Sequence, residues 1–252
     1  MQRLWGLLFA DPVIVLATVF FGTVSLVVSF FDHTGTLQIR VARRWAKTLL
    51  SVSRVRVEVE GLDQIDPDGS YVFISNHVSY MDTPVALAHI PVQFRFLAKR
   101  GLFQIPFLGQ HLSRAGHIPV PREDPRASVK TMQLAAEVIQ QKRVSLLIFP
   151  EGGRSHDGEL QAFKEGGAYI AIRAGVPVVP VAMIGTREVL PYGGGIPKSG
   201  RVTLRILKPI PTANLTLKER GKLTDELRSV ILNELTSGRG GQPNPLAATR
   251  FS

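Results

Sequence analysis

The chain has 252 residues, no cysteine and a formal net charge of +10. That length suits one large domain or one domain plus an appendage, and the lack of thiols excludes disulfides, thiolate catalysis and cysteine-based metal sites. The basic balance fits an anionic partner; no zinc-finger, basic-zipper or RNA-recognition pattern accompanies it, so nucleic acid is not expected.

Val13 to Phe31 carries no charge. At about 19 residues it approaches the roughly 20 that cross a hydrocarbon core. Asp11-Pro12 is a natural helix start before it. Arg40, Arg43, Arg44, Lys47 and Arg54 follow it, whereas Arg3 and the terminal amine are the cations before it. If the helix spans, the positive-inside rule puts the rest of the chain on the cytoplasmic side of the cell membrane. A cleaved signal peptide is the competing reading. The apolar run exceeds the usual h-region of about 7–15 residues and no A-x-A-like site follows, so an uncleaved anchor is expected. Arg40 to Val52 mixes Val41, Trp45, Leu49 and Val52 with cations at helical spacing. It reads equally as an interfacial helix on anionic lipid and as a helix packed on the following domain, and one helix can do both.

Beyond it, apolar runs alternate with helical patterns. Val55 to Val59 alternates like a half-exposed strand, and Tyr71 to Ile74 is a continuous apolar run, read as a buried strand. A helix is expected from Ser79–Asp82 to His89 and a strand over Phe94 to Ala98. Arg126 to Lys142 is a helix with Val129, Met132, Ala136 and Ile139 on one face. Val144 to Phe149 is the next strand. Phe163 to Ala174 is a helix ending at Gly175. Strands over Val178 to Ile184 and Val202 to Ile206 come before a last amphipathic helix through Leu223, Leu227, Val230, Ile231 and Leu235. Such interleaving indicates an α/β class. The expected division is an anchor and amphipathic helix over 1–53, an α/β domain over 54–236, and a polar, Gly/Pro-rich disordered tail over 237–252.

Two loops carry chemistry. His77 and Asp82 stand five positions apart directly after the run ending at Ser75. A neutral imidazole can take a proton from a hydroxyl near neutral pH, and a carboxylate on its other nitrogen fixes the tautomer. The competing reading is a capping box, Ser79-x-x-Asp82, with His77 packed under a loop. Glu151-Gly152-Gly153-Arg154 also follows a buried strand. Its glycines leave backbone amides approachable, and Arg154 offers a planar fork for phosphate or carboxylate; a tight turn with a solvated Arg is the plainer meaning. Glu151 can clamp the loop through backbone amides or a nearby Arg. Arg122, after Pro119-Val120-Pro121, and Lys99, at a strand end, are further candidate cations. His33, His89, His111, His117 and His156 have no second ligand at metal spacing, and no metal is expected; His156 adjoins the Arg154 loop.

Asn76-His77…Asp82 resembles the N-H-x4-D motif of the glycerolipid acyltransferase superfamily, within it the bacterial 1-acyl-sn-glycerol-3-phosphate acyltransferases. Phe149-Pro150-Glu151-Gly152-Gly153-Arg154-Ser155 is similar to that family's F-P-E-G-T-R-S block. Ala98 to Phe103 with Ile105 to Gly109 resembles the segment between them, and Val176 to Val181 its proline-containing fourth block. Four blocks in order over about residues 55–210 are far more specific than any one.

The resemblance implies a single mixed-sheet acyltransferase domain flanked by helices, behind an N-terminal membrane-associated helical segment. It implies that His77 is general base on the glycerol hydroxyl of a lysolipid and that Asp82 orients it. The hydroxyl would attack the thioester of acyl-CoA or acyl carrier protein in one step, turning lysophosphatidic acid into phosphatidic acid. Arg154, Arg122 and Lys99 would hold the phosphate; Glu151, Gly152 and Gly153 would belong to the same binding loop, and Asn76 to the motif around the base. No cofactor is implied beyond the acyl donor. Gly153 stands where Thr is usual, and Pro119 and Pro121 replace residues that are often Ile-Asp. These departures leave room for another lysophospholipid or an acylated amino-acid lipid as acceptor. A non-catalytic lipid-binding protein is the reading of another class, and retention of His77 with Asp82 argues against it.

Overall fold

A computed structural model describes residues 9–32, 34–121 and 124–239. Two helices come first, α1 (Asp11–Val28) and α2 (Thr36–Val52). Proline in the first turn of α1 sets its start where its missing N–H costs nothing. The Asp32 carboxylate accepts from the Thr34 and Leu37 amides and so holds the turn into α2. α2 packs on the domain through one face and leaves cations outward on the other. Ile39, Ala42, Ala46, Leu49 and Leu50 are buried against the domain, while Arg40, Arg44 and Lys47 stay exposed on the other side. α1 lies against α2, tied by Trp45 Nε1 donating to Thr18 Oγ1 at 3.0 Å.

Among the described residues seven strands make one sheet: β1 (Val55–Glu60), β2 (Val72–Ser75), β3 (Phe94–Lys99), β4 (Ile118–Val120), β5 (Ser145–Ile148), β6 (Val178–Ile184) and β7 (Gly200–Ile206). Their order is β1-β7-β6-β2-β5-β3-β4. Every pair is parallel except β6 with β7, so the sheet is mixed. The apolar runs of β2, β5 and β6 are its centre because they are buried on both faces. One face carries Phe73, Leu147 and Val179 against α2 and α3 (Asp82–His89). The other carries Val72, Ile74, Leu146 and Val178 against α5 (Pro125–Lys142), α6 (Gly166–Ala174) and α8 (Arg220–Arg239). α4 (Leu108–Arg114) and the short α7 (Thr186–Val189) complete the α-helices among the described residues.

Pro180 sits in a central strand without breaking it. Its carbonyl faces the β7 side, where it accepts from Leu207, and the β6–β7 ladder begins only at Val181. The missing N–H therefore falls on the β7 side at the end of that ladder and leaves the pairing with β2 intact. β4 and α4 were not expected from sequence. β4 has three residues with Pro119 inside, which an edge strand tolerates. α6 begins at Gly166 rather than Phe163: the Lys164 amide donates to the Pro150 carbonyl at 3.0 Å and holds the preceding residues on that loop, while Gly167, where a side chain would meet Ile74 Cδ1 at 2.4 Å, lets the helix pack close over β2. On α5 the buried face is Ala135, Ala136 and Ile139, and Val129 is exposed. α8 continues to Arg239. Residues 240–252, which hold most of the expected tail, lie outside the described residues, as do His33 and Arg122.

Candidate active site

β2 and β5 are parallel neighbours with Ile74 opposite Ile148, so the loops after Ser75 and Phe149 leave the same sheet edge. That edge, beyond the carboxyl ends of parallel strands, is where open α/β sheets place ligands. Asn76 prolongs the sheet with its side chain. Its Nδ2 donates to the Met183 carbonyl at 2.9 Å and its Oδ1 accepts from the Met183 amide at 2.8 Å.

His77 is next, and Glu151 laces its backbone to the other loop. One Glu151 oxygen accepts from the His77 amide at 2.6 Å and the other from the Gln161 amide at 2.9 Å; the Ser155 amide donates to the His77 carbonyl at 2.9 Å. Burial pushes the Glu151 carboxyl up to about 7, with the Asp82 charge adding to it, against the two amides and Arg228, which lower it.

The His77 ring stacks on Phe149 at 3.9 Å and 12°. Its Nδ1 lies 2.8 Å from Asp82 Oδ2. That oxygen also accepts from the amides of Val78 at 2.9 Å and Ser79 at 2.8 Å, and Asp82 is fully buried. An ionised carboxylate only accepts, so Nδ1 carries the proton and Nε2 is the basic nitrogen. The capping reading is half realised. Asp82 does take the Ser79 amide, but Ser79 Oγ accepts from Met81 and donates to the Leu190 carbonyl. One residue thus holds the turn and the imidazole together.

Arg154 joins this group. Its Nε donates to the Ser79 carbonyl at 3.0 Å, and its guanidinium lies 4.5 Å over the Tyr80 ring. Burial pulls its pKa down, with Asp82, Tyr80 and Tyr192 opposing. Tyr80 packs on Tyr192 at 5.5 Å, and His156 meets Tyr192 edge-on at 4.5 Å. Sequence reasoning missed the two tyrosines. Tyr80 lies inside the His77–Asp82 element and was open to notice; Tyr192 follows α7 with no local pattern to mark it. Gly152 has φ +78, and a Cβ there would press on Lys164 at 3.0 Å, so it requires glycine. Gly153 faces open space. Lys99 is exposed at the end of β3, on the same edge but separated from the His77 loop by β5.

Beside the site is an apolar cavity of about 580 Å³ between α1, α2, α3 and α4. Thr83, next to Asp82, and Phe96 are in its wall. Phe96 stacks on Phe149 at 6.5 Å, the ring that backs His77. Among the apolar lining sit His111 and His117. His117 Nδ1 accepts from the Phe96 amide at 2.9 Å, and complete burial, with His111 and Arg95 near, drops its pKa to about 3 and keeps it neutral.

An acyltransferase family model matches residues 56–184, a span that holds both loops. Over 197 residues the chain is 37% identical to the chloroplastic 1-acyl-sn-glycerol-3-phosphate acyltransferase of Arabidopsis thaliana, covering 77% of this chain and 53% of that protein. It is 32% identical over 191 residues to 1-acyl-sn-glycerol-3-phosphate acyltransferase alpha of Homo sapiens, covering 74% of this chain and 68% of that one. It thus spans about half the length of the plant relatives from Brassica napus and Arabidopsis thaliana. The crystal structure of the 1-acyl-sn-glycerophosphate (LPA) acyltransferase PlsC from Thermotoga maritima superposes with a TM-score of 0.79 at 25% identity over 100% of both chains. By family match, relatives and fold together, this chain belongs to the acyltransferase family.

Proposed function

We propose that the protein transfers a fatty acyl group from a thioester donor to the free hydroxyl of 1-acyl-glycerol-3-phosphate, giving phosphatidic acid. The observation that carries this is the buried His77–Asp82 contact of 2.8 Å, set between Arg154 and an apolar cavity. His77 Nε2 takes the hydroxyl proton as the oxygen attacks the thioester carbonyl. The C–S bond then breaks, and the imidazolium returns its proton to the leaving thiolate. Asp82 stabilises the imidazolium between these events. The acceptor's own hydroxyl is the nucleophile, so no acyl-enzyme forms.

Arg154 is the cation placed to meet the acceptor phosphate, with Lys99 and Arg122 as supporting charges. Glu151 and Asn76 act by positioning, since their polar atoms are spent on backbone groups. The cavity suits the acyl chain of the donor, whose reactive carbonyl would lie at its Thr83 and Phe96 wall. Acyl-CoA and acyl carrier protein both suit a basic surface.

α1 is about 27 Å long by helical rise, near the roughly 30 Å of a hydrocarbon core. Its length and apolarity support membrane association. Its contacts favour burial in one leaflet over a full crossing. Thr18 is tied to α2, and Ser25 and Ser29 to His111 and Arg114 of α4. A crossing α1 would drag those polar groups into hydrocarbon. With the exposed cations of α2 beside it, the domain would sit on the cytoplasmic side of the cell membrane. A tag before α1 would then be protease-accessible from the same side as the domain; protection in sealed inside-out vesicles would refute this.

The deciding experiment offers labelled acyl donor and a lysolipid panel to the purified protein. Lysophosphatidic acid should be the best acceptor, and His77→Ala should lower turnover roughly 10²–10⁴-fold with an unchanged circular dichroism spectrum. Near-normal turnover in that variant would sink the mechanism; preference for an acceptor without a phosphomonoester would sink the substrate assignment.

A further inference from the structure

The segment from Leu102 to Leu108, between β3 and α4, turns apolar side chains outward. Leu102, Ile105, Phe107 and Leu108 are exposed, and Phe107 is 73% accessible. Soluble surfaces scatter such residues; here they are contiguous. Phe107 is also held out by an unfavourable backbone. Its φ of 63° and ψ of −53°, with the Leu108 amide donating to the Pro106 carbonyl at 2.7 Å, make a γ-turn of the rare, strained positive-φ kind. The fold maintains this strain to present a phenyl ring to the outside.

The segment is not isolated. Pro106, Phe107 and Leu108 line the same apolar cavity as Val19 and Gly22 of α1, and Val19 is itself 63% exposed. The apolar face of α1 and the Phe107 turn therefore share one cavity and both reach the outside. Lys99 and Arg100 are exposed immediately before the turn, where a wedge entering an anionic leaflet keeps its cations at headgroup level.

We propose that Leu102–Leu108 is a second membrane-inserting element, a wedge that enters the same anionic leaflet as α1 and opens the cavity sideways to lipid between Val19 and Phe107. This rests on α1 associating with a membrane and extends that reading to a surface of the catalytic domain itself. Its partner is the boundary between headgroups and hydrocarbon.

The chain's lack of cysteine makes the test direct. Single Phe107→Cys, Leu16→Cys and Glu137→Cys variants carry an environment-sensitive NBD label, and vesicles of equal phosphatidylglycerol and phosphatidylcholine contain doxyl-labelled lipid. Leu16 lies on the exposed face of α1 and Glu137 on α5, across the sheet. On vesicle addition the labels at 107 and 16 should shift to the blue and be quenched by doxyl lipid, while the label at 137 does neither. A label at 107 that stays iodide-accessible while 16 is quenched overturns the wedge and leaves the anchor standing. If neither is quenched, the anchor fails and the wedge with it. A label at 107 that shifts only as protein concentration rises, without lipid, identifies a second copy as the occupant and overturns the proposal. As a functional check, Leu102→Ser with Ile105→Ser should lower the rate on vesicle-borne acceptor roughly tenfold and leave the rate on a short-chain, water-soluble acceptor unchanged. Equal loss on both acceptors would mean the segment shapes the site rather than reaching lipid.

Discussion

One oxygen of Asp82 receives three donors, so this residue fixes both where His77 stands and which nitrogen carries its proton. Asp82→Asn keeps an oxygen for the amides but removes the charge that, in the proposed mechanism, stabilises the imidazolium. Turnover should fall roughly 10²–10⁴-fold with the melting temperature little changed, which steady-state rates and calorimetry on the same sample would check. Glu151 gives a pH prediction of definite sign. Its folded pKa, about 7, lies above its ordinary 4.5. Between these values the folded chain holds a proton that the unfolded chain lacks, so this group's contribution to stability is present below about 4.5 and is lost as pH rises through 7. Glu151→Gln should flatten that part of the stability–pH curve. It should also cost about 1–3 kcal/mol, because an amide NH2 would face the Gln161 or His77 N–H; denaturant titrations between pH 5 and 8 would show both. Gly153→Thr enters open space and should fold normally, with stability within about 0.5 kcal/mol. If acceptor preference narrows toward lysophosphatidic acid, the missing hydroxyl is the source of any breadth. The sequence exposed His77, Asp82 and Arg154 because each lies within a short local pattern. It left open whether Asp82 caps or orients, since both uses need the same carboxylate at the same spacing and only three-dimensional placement shows them sharing one oxygen.

Elements were legible in proportion to how much of their signal is local. β2, β5 and β6 are apolar on both faces, and that run is visible without knowing their neighbours. β4 and α4 are three and seven residues long, too short for a period, and they exist because β3 and α1 give them something to pair with and pack on. α4 is also what clamps α1. Ser25 Oγ meets His111 Nδ1 at 2.6 Å, Arg114 Nη1 donates to Ser29 Oγ at 2.8 Å, and its guanidinium lies 4.3 Å over Phe30. Arg114→Ala removes two of these three contacts. It should release the carboxyl end of α1, seen as faster proteolysis between α1 and α2 and about 1–2 kcal/mol lower stability in detergent. An unchanged cleavage rate would mean that α2 alone holds α1 in place.

At the scale of the molecule, charge and hydropathy address the same surface. A net charge of +10, with Arg40, Arg44 and Lys47 exposed on the helix beside α1, should make vesicle binding tighter on anionic than on zwitterionic lipid. Raising salt from 0.05 to 0.5 M should weaken it by roughly 1 kcal/mol per contacting cation at most, while the apolar face of α1 keeps a salt-resistant remainder. Sedimentation with vesicles would separate the two parts. The order of the sheet carries a consequence of another kind, in time rather than space. β1 pairs with β7, Val55 against Gly200, so the first strand to leave the ribosome waits for the last. At typical synthesis rates that interval is on the order of ten seconds. Throughout it the amphipathic hairpin of α1 and α2 is already available to membrane while an unpaired strand trails behind. The alternation of Arg56, Glu58 and Glu60 with three valines places charges along that waiting edge, which discourages pairing with another nascent chain. The proposed site is therefore incomplete until the central strands close, because Asn76 and Met183 meet across 107 residues. Each chain should arrive at the lipid first and become an enzyme afterwards.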